Sequence, residues 1–531
     1  MSKKIERTLP WIVLITWLLF YLAYPYHDRI DDVYAQHILK NKAALLYGFF
    51  GRPIPSLILY LHGFIFGAKM DRVAFVSIFL HLGMGLFTLK KIIPKLPASV
   101  RTMTTLGLLA ALLHPVAFQT VIHVSQRSEM YGTFFSLLAI YYYLAAHERE
   151  GGPIAKDFFA IAAVAVGAML SKELFVTVPL CLLILLSIQH KARVGAVATT
   201  VLIGLMAASY MHNSSTLKPG TVFGRDSYQR SEAYRKAVEE EKVIANEDSI
   251  LFPFRTRLQN AQIQTALVPT LLGLTFFPFG IASDYGHFPF GKESYSRDEP
   301  HLWAGIAVIL AILLATLYFR RRYSIFEWIL IYSPALLYGV YFVISVNDPL
   351  FTYRLYGISF FAMVFTVPTL LKGVEFKFID TDTWPLRWHE MDRPAQFMAV
   401  FSAVIALAGL VRFYEMKDSV REALLDRRRV PLNYRAHLQF THELVAKRQE
   451  QREKTKVPCK ELLEPVLKFV PTTSLVFISW AWCEINNGDP AMAAGLAKLA
   501  LEQEMVPQDI QVAISYAKGK SETVEFKTDK I

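Results

Sequence analysis

The sequence predicts an all-α protein: about eleven transmembrane helices followed by a small helical domain. Three observations predict it. Of 531 residues, 53% are hydrophobic and 19% charged, and mean hydropathy is +0.31, whereas a soluble protein averages about 25% charged and 45–50% apolar. The apolar residues come in runs near the roughly 20 residues that a helix needs to cross a bilayer. Lys and Arg fall in short clusters between those runs, as the preference of basic residues for the cytoplasmic side dictates. The net charge of +11 is not gathered into a basic stripe, so nucleic acid is not expected as a partner.

The first run, Leu9 to Tyr26, has no charge in 18 residues. Lys3, Lys4 and Arg7 hold its start in the cytoplasm. No small-residue cleavage site follows, so it reads as an uncleaved signal-anchor helix. The stretch HDRIDD comes next and sets Asp31 and Asp32 side by side where the chain meets water on the far side. Pro53 to Gly67, with Tyr60 and His62, reads as a helix lying in the outer interface.

Further spans are expected from Val73 to Leu89, ending inside at Lys90, Lys91 and Lys95, and from Thr102 to Val124. The second of these carries His114 before Pro115, and it delivers His123, Gln126, Arg127 and Glu129 to the outer face. Met130 to Ala146 returns inward, Phe158 to Ser171 places Lys172 and Glu173 outside, and Leu174 to Gln189 and Val194 to His212 follow. A polar loop of about 50 residues comes next, too long for a mere connection. Gln262 to Ser283 is uncharged but holds Pro269 and Pro278. If it spanned, Arg320, Arg321 and Arg322 would lie outside, so a re-entrant or interfacial segment is expected. Leu302 to Phe319, Trp328 to Asn347, Leu355 to Leu371 and Pro394 to Val411 complete the set.

The parity divides the chain into a membrane domain, residues 1–413, with outer loops 26–72 and 213–300, and an outer helical domain, residues 414–531. In that tail, Ala481, Gly488, Ala493 and Ala500, then Pro507, have the spacing of one tetratricopeptide-like hairpin. A solenoid needs about three repeats to bury a core, so a lone hairpin implies a small domain docked on the membrane part. Cys459 and Cys483 would share an oxidising compartment, and whether they bond is open at this stage. With Cys181 they form neither metal-site nor CxxC spacing.

On this topology the outer face collects Asp31, Asp32, Arg52, Arg127, Glu129, Lys172, Glu173 and Arg354. Taken singly, these have ordinary explanations. Arg127 and Glu129 can pair or snorkel, Lys172 and Glu173 suit a helix boundary, Arg354 suits a topological anchor, and His114 suits a helix kink. Gathered on one face, they suit a lipid-attached phosphate held by cations, with a carboxylate as general base toward an acceptor hydroxyl and the clamp stabilising the leaving phosphate. No G-x-x-x-x-G-K-[ST] cradle is present, so a nucleotide donor is not supported.

Four segments carry a resemblance: HPVAFQTVIHVSQRSEMYGTFFSLLAIYYYL, GAMLSKELFVTVPLCLL, IDDVYAQHILKN followed by Arg52-Pro53, and FTYRLYGISFF. Running in this family's order from about residue 10 to 370, they resemble the transmembrane and tetratricopeptide-repeat O-mannosyltransferases and their bacterial relatives, membrane glycosyltransferases of the GT-C superfold. The last segment departs from the family pattern: Thr352 or Tyr353 stands for its Asp, and Gly357 near its Pro. The tail departs too, because the family usually carries a long repeat array.

The resemblance implies a polyprenyl- or dolichyl-phosphate-linked sugar as donor, a protein hydroxyl as acceptor and inversion at the anomeric carbon. Asp31 or Asp32 would be the base. Arg127, Lys172 and Arg354 would hold the phosphate, with Glu173 orienting Lys172, and Arg52, His114 and Glu129 lining the site. No cofactor and no metal are expected, although an acidic pair is able to bind one.

The expected protein is an inner-membrane glycosyltransferase, active on the periplasmic side, with membrane lipids around it and an exported protein such as a pilin as acceptor. A glycan or lipid acceptor, a flippase for a lipid-linked sugar, and a scaffold are the alternatives. A transporter should show internal repeats and broken helix pairs at mid-membrane, and none is evident in the sequence.

Overall fold

A computed structural model describes residues 53–66, 70–122, 126–215, 257–282, 300–343, 352–372, 393–431, 434–451, 456–468 and 474–502. Every regular element among them is helical. In chain order these are α1 (Pro53–Phe66), α2 (Met70–Phe87), α3 (Ala98–Leu112), α4 (Pro115–Ile122), α5 (Arg127–His147), α6 (Ala155–Ser171), α7 (Thr177–Gln189), α8 (Arg193–Ser215), α9 (Arg257–Phe276), α10 (Pro300–Phe319) and α11 (Ile325–Val343). Next come α12 (Tyr356–Phe361), which a π turn (Ala362–Thr366) joins to α13 (Val367–Lys372), and then α14 (Arg393–Met416). The tail holds α15 (Ser419–Arg429), α16 (Tyr434–Glu450), α17 (Cys459–Leu463), α18 (Ser474–Asn486) and α19 (Pro490–Glu502).

Among the described residues, four stretches are long and apolar enough to cross a membrane: Val76–Lys95, Pro300–Phe319, Ile325–Phe342 and Arg393–Met416. The bent pair α3–α4 makes a fifth if it is one span. The count falls short of the expected eleven for local reasons. The first expected span lies outside the described residues. Lys172, in extended backbone, separates α6 from the 3-10 turn Glu173–Val176, and His114-Pro115 bends α3 against α4 by 55°. Pro53–Ile65, Glu173–Gln189, Arg193–Leu205, Ala261–Phe276 and Tyr356–Lys372 are shorter apolar stretches. In α10 every helical face except the one at Gly305 leaves apolar side chains at least partly exposed, Trp303, Leu313, Leu314 and Leu317 among them. That surface needs lipid or another chain against it.

Proline frees carbonyls inside these helices, and neighbours cover them. Pro334 cannot donate to the Leu330 carbonyl one turn back. Ser333 Oγ donates to it at 2.8 Å, and Thr366 Oγ1 donates to the adjoining Ile331 carbonyl at 3.0 Å. Pro269 likewise frees the Thr265 carbonyl, and Gly305 of α10 sits so close that a Cβ there would overlap its oxygen. Pro368 stands where the π register needs an N–H for Met363, and Gly107 of α3 closes on that oxygen in the same way. In a bilayer, where water is absent, such carbonyls must be satisfied by protein.

Register fixes which ends coincide. Ser402 Oγ donates to Leu106 O at 2.9 Å, Gly409 packs on Leu113 O, and Phe413 meets Phe118 at 5.9 Å. The sequence offset stays constant, so α14 runs parallel to α3–α4 and emerges at Met416 on the end where α4 passes into α5. The opposite end gathers Lys95 with Glu148, Arg149 with Asp157 at 2.9 Å, Lys372 with Glu327 at 2.5 Å, and the ring of Phe326 stacked on Tyr143.

The tail has its own core. Val445, Leu463, Val466, Val476, Trp480 and Leu496 are among its buried members. α18 and α19 form the expected helical hairpin: Gly488 takes φ +79° in the turn, and Asp489 Oδ1 accepts from Met492 N–H at 3.0 Å as an N-cap with Pro490 next. Cys459 and Cys483, whose pairing the sequence left open, are disulfide-bonded. Asn487 reinforces that join by accepting from Val457 N–H at 2.9 Å and donating to Val457 O at 2.8 Å.

Buried charge seats the tail on the membrane part. Arg412, 2% exposed, donates to Glu422 at 2.9 Å and Glu415 at 3.3 Å and lies 3.4 Å from Asp426. Arg429 of α15 grips both oxygens of Glu415, at 2.5 and 2.8 Å, and donates to Ile281 O at 2.9 Å. At the start of α15, Asp418 accepts from Val420 and Arg421 N–H. The Lys447 ammonium beside it holds its carboxyl below the ordinary value.

Candidate functional site

The site grows from three helix starts that meet on one aromatic ring. The ring of Phe175, which follows the break at Lys172, lies against Gly132 of α5 and Gly357 of α12, and a Cβ at either glycine would overlap it. Ser136 Oγ, one turn beyond Gly132, donates to Phe175 O at 3.1 Å. Three residues before each of Gly132, Phe175 and Gly357 stands a charged residue: Glu129, Lys172 and Arg354. Packing on one ring therefore brings three charges from distant sequence positions to one end of the bundle.

Lys172 and Glu129 form an ion pair, and their residues are 3% and 0% exposed. Glu173, expected to orient Lys172, opens the next turn and is half-buried. Arg127, 2% exposed, is held by hydrogen bonds to neighbouring helices. Its Nε donates to Ser77 Oγ at 2.7 Å and its Nη1 to His62 Nδ1 at 2.6 Å. Arg354 lies with its guanidinium carbon 6.0 Å from the Tyr341 ring centre.

A second buried pair lies beside these charges. His81 Nε2 faces Leu112 O at 3.4 Å, so that nitrogen carries the proton and Tyr356 O–H donates to Nδ1 at 2.5 Å. Tyr356 also sits in the field of Glu129.

His114 is placed differently. It sits at the α3–α4 bend, where Nε2 donates to Thr275 O at 3.0 Å and Nδ1 accepts from Val116 N–H at 3.3 Å. Both ring nitrogens are thus engaged in holding the kink to α9. Asp31, Asp32 and Arg52 lie outside the described residues. Among the described residues no three His, Cys, Asp or Glu side chains gather as a metal would require.

The sequence reading passed over Ser77, Tyr356, Gly132 and Phe175 and gave His62 and His81 no role in the site. A signal for two of them was present: Ser77 and His81 are four apart, on one helix face of the otherwise apolar run Val73 to Phe87, and polar residues inside a span point to function. No comparable signal marks Phe175.

Chemically, a fixed guanidinium, a buried ammonium held by a carboxylate and a third cation stand at helix N-termini, whose partial positive charge adds to theirs. Such an end is suited to an anion.

The glycine seats are testable. Gly357→Ala is expected to cost about 1–3 kcal/mol by overpacking, read as a lower midpoint of thermal unfolding. Gly83→Ala, at a position with nothing within 4 Å, is the control. Equal midpoints for the two variants would mean that the Phe175 seat tolerates a methyl group.

The family resemblance remains an expectation, because no protein-family model, curated protein or solved structure matches this chain.

Proposed function

We propose that the chain is an integral membrane glycosyltransferase of the GT-C type. It moves one sugar from a polyprenyl phosphate to a hydroxyl group of an exported protein, on the non-cytoplasmic side of an inner membrane. The observation that supports this reading is that Glu129, Lys172 and Arg354 each stand three residues before a contact at the Phe175 ring, with Lys172 paired to Glu129 and Arg127 two residues before Glu129. A phosphate attached to lipid needs such a cationic end at the membrane boundary. In this reading Arg127 offers its planar fork to the phosphate, Lys172 supplies a second charge whose position Glu129 fixes, and the clamp stabilises the phosphate as it leaves.

Two features support the sidedness of this reading. The disulfide-bonded tail leaves the bundle at the site's own end, and disulfides persist in oxidising compartments. The opposite end carries Lys90, Lys91, Lys95, Arg149 and Arg320 to Arg322, as a cytoplasmic face should. In the full reading the shorter apolar helices complete about eleven crossings, and α18–α19 is a tetratricopeptide-like hairpin that meets the acceptor. Asp31 or Asp32 is the base.

The test is transfer in membranes supplied with polyprenyl-phosphate sugars, comparing wild type with Asp31→Asn and Asp32→Asn at equal expression. Loss of a general base should lower the rate by about 10²–10⁴ in one variant. Full activity in both would remove the catalytic assignment. Sugar flux without any glycosylated product would replace the transferase by a flippase.

A further inference from the structure

We propose that Lys417, Arg421 and Arg428, just beyond the last membrane helix, form a seat for anionic phospholipid headgroups that holds α15 to the bilayer surface. The lipid-facing side of α14 leads directly to it. Phe397, Val400, Val404, Leu407, Val411 and Tyr414 are all exposed. Their spacing of three and four residues is that of one helix face. The apolar stripe ends at Tyr414, 58% exposed, an aromatic of the kind that marks the headgroup level.

The cations begin at that level. The Arg421 guanidinium stacks over the Tyr414 ring at 4.4 Å, and Lys417 lies 5.2 Å from the Phe413 ring centre. Arg428, seven residues beyond Arg421, shares its helix face, and all three cationic residues are exposed.

The acids of this segment are already paired. Glu422 and Asp426 are buried against Arg412, and Asp418 caps α15 and pairs with Lys447 at 2.7 Å. What α15 presents outward is therefore cationic, next to a surface made for acyl chains. These cations also stand at the opposite end of the bundle from the Lys and Arg clusters of the cytoplasmic face, so topology does not explain them. Anionic headgroups supply the complementary charge at this depth.

The inference rests on α14 lying in a membrane and is independent of the transferase reading. Each basic residue near an anionic surface is worth about a fivefold preference, so three give on the order of a hundredfold. The full chain is placed in phosphatidylcholine nanodiscs with and without phosphatidylglycerol, and amide hydrogen exchange is followed over residues 417–428. The expected result is exchange slowed several-fold by phosphatidylglycerol. The difference should shrink in high salt and disappear in the triple variant Lys417→Gln, Arg421→Gln, Arg428→Gln. Arg320→Gln, Arg321→Gln, Arg322→Gln, at the other end, should leave it intact. Equal exchange with both lipids would overturn the proposal. So would a difference that survives the first triple variant, or one that the second triple variant abolishes.

Discussion

Glu129→Gln is expected to destabilise the protein by about 3–5 kcal/mol, the usual consequence of removing one partner from a buried ion pair. Lys172 is 3% exposed, and its ammonium sits against the Glu129 carboxylate. With an amide opposite, its charge loses both hydration and a countercharge. The double variant Glu129→Gln/Lys172→Met should recover most of that loss, because removing both charges removes the cost of burying them. The two changes should therefore be strongly non-additive. Thermal unfolding in detergent reads both effects. Under the proposed function the double variant, although stable, should still fail to transfer sugar, since the second phosphate cation is gone. A Glu129→Gln protein that unfolds at the wild-type temperature would mean that Lys172 has another source of stabilisation, and the pair would lose its place at the centre of the site.

Arg412→Met should be as severe, also about 3–5 kcal/mol, but its effect should be confined to the tail's attachment. Arg412 and Arg429 together face Glu415, Glu422 and Asp426. Without Arg412, Glu422 and Asp426 keep their buried places with a central countercharge removed. The tail's hydrophobic core is built from other residues, so the Cys459–Cys483 bond and the α18–α19 hairpin should survive. Limited proteolysis should then cut near α15 and release a folded tail fragment. A variant whose α15 stays as protected as in the wild type would show that the contact from Arg429 to Ile281 O suffices to hold the tail.

Much of the architecture was legible along the chain because its cause is local. Each expected apolar run is helical over most of its described residues, and the runs end near clusters such as Lys90-Lys91 and Arg320 to Arg322. Bilayer thickness and the charge rule act on sequence directly. The kink at His114-Pro115 was legible for a similar reason, since proline forbids the local hydrogen bond. Where a helix has to break for the sake of a neighbour, sequence gave no warning. The π turn at Ala362–Thr366 interrupts an apolar segment that read as continuous, whereas the break at Lys172 falls between two spans that were expected to be separate.

The candidate site divides along the same line. Arg127, Glu129, Lys172 and Arg354 were legible as charges at the edges of apolar runs, where charge is costly, and they drew notice because the expected topology put them on one face. Their arrangement did not stand out. Glu129 lies 43 residues from Lys172, while the adjacent Glu173 was the natural partner by spacing alone. Glu129 is brought to Lys172 by the Phe175 ring between Gly132 and Gly357, a packing contact among three segments that carries no signature in any one of them. Sequence by itself determined which residues form helices and where charge gathers, since hydrophobicity and hydrogen-bond loss are properties of the local chain. Only the tertiary structure decided which charge meets which, because that depends on how closely helices distant in sequence approach one another.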